Sequence, residues 1–135
     1  MNNPANDRNE FLAILLDGEL QLKYDRSTGL PEHQLQYLER MDQQMTEGIR
    51  LGVDWVEQPD LMQRAKFVAL HLVASLQHGN DALIAASCAY LAERLPELKQ
   101  VRAKMLGTGF SVELVFDKPY VEEILVDFVP RRPAE

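Results

Sequence analysis

A single cysteine, Cys88, leaves this 135-residue chain no internal disulfide to form, which fits a reducing compartment. Basic side chains are in the minority, 14 Lys and Arg against 21 Asp and Glu, for a net charge of −7. Nucleic acid is therefore not an expected partner, because counterion release needs clustered cations on the protein. Long hydrophobic runs are missing as well. The apolar stretch FLAILL at 11–16 is too short to span a bilayer, and MNNPANDRNE puts no basic segment ahead of an apolar one. No membrane association is expected, and the cytoplasm is the expected location.

The motifs of common chemistries are equally scarce. Gly107-Thr108-Gly109 leads into a strand pattern, not out of a strand into a helix, so it does not read as a phosphate loop. His71 and His78 share a helix face but stand two turns apart, roughly 10 Å along the axis, too far to chelate one ion. His33 sits beside Glu32, and no Glu-x-x-His or His-x-x-x-His pair occurs. No metal and no cofactor are expected. Cys88 lies in an apolar segment with no cation one turn away, which describes an inert core thiol and not a nucleophile.

What is present is the balance of an ordinary globular protein, 46% hydrophobic and 26% charged, of a length that suits one domain over 1–135. Residues 1–9 and 130–135 read as loose ends. Charge is segregated along the chain. Residues 1–60 hold five Lys/Arg against twelve Asp/Glu, 61–106 six against three, and 107–135 three against six. Attraction between neighbouring segments explains this most simply, and a reciprocal dimer contact is the other reading.

The apolar pattern predicts mostly helix. Glu10–Leu16 followed by Asp17-Gly18 reads either as a short helix or as the first arm of a hairpin, and we expect a helix leading into a short strand at Leu20, Leu22 and Tyr24. Leu35, Leu38, Met41, Met45 and Ile49 predict a helix from Pro31 to about Leu51, with a solvated face of Gln and Glu. Trp55 then falls in a linking loop. From Pro59 to about His78 a second helix carries a main apolar arc through Leu72 and a narrower stripe of Phe67, Leu70 and Ala74. Gly79 is placed for a left-handed stop and Asn80 for the next cap.

The segment Ala82–Ala92, ALIAASCAYLA, has Ser87 as its one strongly polar side chain, which predicts a helix enclosed on every side. Its lack of polar and basic side chains also argues against a recognition helix after the His78–Asp81 turn. Leu98, Val101 and Met105 predict another helix over 97–106 after a break at Pro96. Alternation at Phe110, Val112, Leu114 and Phe116 predicts a strand, paired with a second over 120–129. The expected fold is α+β, mostly helical, with an antiparallel helical core over about 31–106 and a small C-terminal antiparallel β element.

The expected function is that of a non-catalytic interaction protein, an adaptor or regulator, binding a protein partner or forming a homodimer through apolar helix and loop surface. Trp55, Val56, Phe67 and Leu70 are the candidate contact residues. The alternative is a small-molecule binder or small enzyme in which His71, Ser75 and Tyr90 supply polar groups to an interhelical cleft. No catalytic residue is assigned.

Overall fold

The computed structural model describes residues 11–27 and 29–121. Of these, 43% are helix and 30% strand, arranged as three helices, a mixed four-stranded sheet and a small β-hairpin. The fold is α+β, but it is not a helical core with a β appendage. The elements run β1 (Phe11–Leu16), β2 (Glu19–Asp25), α1 (Glu32–Thr46), β3 (Ile49–Leu51), β4 (Asp54–Val56), α2 (Leu61–His78), α3 (Asp81–Arg94), β5 (Gln100–Leu106) and β6 (Gly109–Val115).

The large sheet has the order β2-β1-β5-β6. Each outer pair is an antiparallel hairpin, and the two hairpins meet through a parallel β1–β5 ladder that sets Ile14 beside Val101. The expected helix over 10–16 is thus a central strand. Asp17 and Gly18 both take positive φ, 51° and 84°, the two-residue hairpin turn whose twist matches its flanking strands. The expected helix over 97–106 is also a strand. Its register with β1 and β6 turns Val101 and Ala103 to one face and Arg102 and Lys104 away from it. Spacings of three and four at Leu98, Val101 and Met105 hid that period of two.

Leu12, Ile14 and Val101 join Ala65, Leu72 and Tyr90 in one continuous core, with Leu38 and Met45 of α1 closing it. The strand expected at 110–116 is β6, and its Val112 and Leu114, with Phe116, do pack against that core. The hairpin partner of β6 is β5, however, and Tyr120 and Val121 are not strand. The rest of the expected 120–129 strand lies outside the described residues, as do the two ends expected to be loose. On the sheet's other face Ala13, Leu15, Gln100 and Val115 are also buried. There the Gln100 amide donates to the Lys118 carbonyl at 2.9 Å and accepts from Arg102 at 2.8 Å.

The helix joints follow local chemistry. α1 stops at Thr46, earlier than expected, because Gly48 adopts φ 132° and the chain turns into β3. Trp55 is not in a loop but on β4, and its indole lies over Gly48: a Cβ there would stand 2.3 Å from Trp55 Cζ2. Asp60 and Gln63 form a reciprocal capping box at the start of α2. Gly79 ends that helix in the left-handed conformation, and Asn80 accepts from the Leu83 N–H at 3.2 Å, both as expected. Arg26, half-buried in the loop after β2, donates to the carbonyls of Pro96 and Leu98 just beyond α3. It thereby ties the loop after β2 to the turn between α3 and β5.

Candidate functional site

A concavity of about 750 Å³ runs between α1 and α3. Its floor on α3 is Ala82, Ala85, Ala86 and Ala89, a row at positions i, i+3, i+4 and i+7 that places four small side chains on one helix face. Here the expectation that this helix is enclosed on every side fails. Ser87 through Ala92 are buried, but Ala82 and Ala85 are exposed and Leu83, Ile84 and Ala86 only half-buried. The side chains on that face are too short to fill the space out to α1.

The opposing wall is the α1 row of His33, Gln36, Tyr37 and Arg40. The Arg40 guanidinium sits 5.5 Å from the Tyr37 ring centroid. Tyr37 and Leu83 also border a smaller cavity of about 150 Å³ where all three helices meet, with Phe67, His71 and Ser87. There the rings of Phe67 and His71 lie tilted, 4.4 Å between centroids. Among the described residues the groove lining carries one imidazole and one phenol but no carboxylate or thiol. It therefore contains neither a carboxylate–base pair nor a thiol–base pair of the kinds used for acid–base or nucleophilic catalysis.

A second cluster binds the helices together. Asp42 of α1 accepts from the Tyr90 hydroxyl and from Arg94 Nε at 2.8 Å, both on α3, and from Arg64 Nη1 of α2 at 3.3 Å. One carboxylate thus serves two guanidiniums and a fully buried tyrosine. The phenol is held well above its ordinary pKa, first by burial and then by its hydrogen bond to Asp42. Arg64 Nε is buried with no acceptor among the described residues. The arrangement is an interhelical clamp in which Asp42 Oδ1 accepts two hydrogen bonds and Oδ2 one.

The expected site residues are spread over several surroundings. Trp55 is 57% exposed, whereas Val56, the next residue on β4, turns against the core. Phe67 is half-buried and borders the smaller cavity, but Leu70, one turn on, borders neither cavity. Of the alternative cleft group, His71 borders the smaller cavity, and Ser75 and Tyr90 border neither of the two described. The Ser75 hydroxyl donates to the carbonyl of His71 at 2.8 Å within its own helix, and Tyr90 is committed to Asp42. His78 Nδ1 lies 2.8 Å from the Ala74 carbonyl, at a helix end. Among the described residues no three His, Cys, Asp or Glu gather as metal ligands, and no helix is long and apolar enough to cross a membrane.

Cys88 is 1% exposed, and burial pushes its thiol up to about 12. At pH 8 it holds roughly a thousandfold less thiolate than a free cysteine. Reaction with a maleimide is expected to be slow in native protein and rapid in denaturant. Prompt stoichiometric labelling without denaturant would show the thiol to be accessible.

Sequence reasoning missed the groove rows and the Asp42 clamp. The alanine spacing was visible in the sequence, but nothing local showed which face another helix leaves open. The clamp joins residues 22, 48 and 52 positions apart. No family model, curated protein or solved structure matches this chain.

Proposed function

We propose that the chain is a non-catalytic binding module that engages a protein partner in the groove between α1 and α3. The observation that carries this reading is the groove's makeup: an open alanine and leucine floor beneath a polar rim. Apolar concavities rimmed by polar side chains are where partners dock. Small residues at i, i+3, i+4 and i+7 let a partner's bulky side chains approach the α3 backbone closely. Phe67 belongs to this surface through the adjoining cavity, and Trp55 and Val56 are assigned no part in it.

The test is photo-crosslinking in cells of the source organism. A benzophenone amino acid at Ala85, in the groove, is compared with one at Glu47, an exposed position outside its lining. The expected result is a discrete protein adduct from position 85 alone that disappears when Ala86→Trp fills the floor. Equal adducts from both positions, or none from 85, would remove the groove from the function. A small molecule recovered in that space would favour the alternative of a ligand-binding cleft.

A further inference from the structure

Resting on that reading, we infer that the partner segment is an acidic amphipathic helix, with its apolar side on the α3 alanines and its carboxylates toward Arg40 and His33. Charge complementarity carries the argument. The chain has 21 acidic side chains and a net charge of −7, yet among the described residues no acid lines the groove, where the ionisable groups are His33, Arg40 and Tyr37.

The local pattern on α1 sharpens this asymmetry. Residues three and four away from Arg40 are Gln36, Tyr37, Gln43 and Gln44, so no helix neighbour supplies a carboxylate. Among the described residues the ion pairs to arginine involve Arg64 and Arg94, not Arg40. At 100° per residue Glu32 and Glu39 lie about 100° around α1 from the row of His33 and Arg40. The acids at the two ends of α3, Asp81 and Glu93, fall outside the lining. The rim thus presents, among the described residues, a cation with no ion-pair partner beside a hydrocarbon floor, on a protein whose net charge is −7.

Shape selects a helix over an extended strand. The floor repeats at helical spacing along α3, and both walls are helices with their backbone groups already paired. A bound strand would find no free backbone edge to pair with, whereas a helix satisfies its own and needs only side-chain contact.

The experiment uses the full chain and a displayed library of sixteen-residue amphipathic helices. Apolar positions vary among Leu, Ile, Met and Phe, and flanking positions vary equally among Glu, Lys and Gln. Survivors on the wild type are counter-selected on Ala86→Trp. Survivors are expected to be enriched in Glu over Lys, and Glu-flanked sequences to bind at least about tenfold more tightly than Lys twins at low salt. That preference should shrink in high salt and reverse with Arg40→Glu. Groove-dependent survivors that are Lys-rich or indifferent to charge would overturn the acidic partner and leave the groove reading standing. An absence of survivors sensitive to Ala86→Trp would overturn both. Self-association of the chain blocked by Ala86→Trp would assign the groove to a second copy, and dodecanoate shifting the alanine methyl resonances without any helical survivor would assign it to a small amphiphile; either overturns the inference.

Discussion

Asp42→Ala is expected to cost roughly 2–4 kcal/mol of folding stability, the largest loss from any single polar substitution among the described residues. The substitution removes one carboxylate but strands three donors: the Tyr90 hydroxyl, Arg94 Nε and Arg64 Nη1. Tyr90 is 0% exposed, so its hydroxyl loses its acceptor in a buried setting. The two guanidiniums, left without the charge between them, repel each other. Their exposure of 24% and 26% gives partial access to solvent, which holds the cost below that of a wholly buried pair. Urea unfolding measures it. A loss below about 1 kcal/mol would mean that water replaces Asp42 as the acceptor, and the clamp would then contribute little. Because α1 forms one wall of the groove and Asp42 ties it to both other helices, the variant is also expected to weaken any groove binding beyond its effect on the folded fraction.

Ile14→Ala is expected to destabilise by about 2–5 kcal/mol, the range for removing buried hydrocarbon that the surroundings cannot refill. Ile14 is 0% exposed, in β1, between Leu22 of β2 and Val101 of β5. The same truncation at Leu22, half-buried on the edge strand, is expected to cost less. The comparison separates two descriptions of Phe11–Leu16. Alanine is the better helix former, so in a short peripheral helix its propensity would offset part of the loss. In a central strand it offsets nothing. The amide of Ala13, which donates to the Lys99 carbonyl at 3.1 Å, should exchange only with global unfolding in the wild type and faster in the variant. Fast exchange at Ala13 in the wild type would contradict the central placement of β1.

Much of the helical part was legible because its signals are local. Pro59, Gly79 in the left-handed region and Asn80 as a cap act within a few residues, and the approximate start of α2, its end and the start of α3 follow from them. The alternation of β6 is local too, with Val112 and Leu114 against the core and Ser111 and Glu113 exposed on the other face, where Val115 alone is apolar and buried. The buried state of Cys88 follows from its neighbours in sequence.

The sheet's centre was decided by partners distant in the chain. FLAILL is apolar at every position because β1 is buried on both faces, Leu12 and Ile14 toward the helices, Ala13 and Leu15 on the other side. A strand buried on both faces loses the period of two that would mark it, and six apolar residues read as well for a helix. Its one local signal was Asp17-Gly18, whose positive φ pair turns a hairpin. The strand β5 was disguised by chance spacings that fit a helix, and only pairing on both sides, with β1 and β6, makes the extended form the better one. The groove and the clamp depend on tertiary structure for the same reason. A row of alanines is visible in the sequence, but whether it packs or stays open is set by how far α1 stands from α3. Which carboxylate meets which guanidinium is set by how three helices cross, and no spacing along one of them records it.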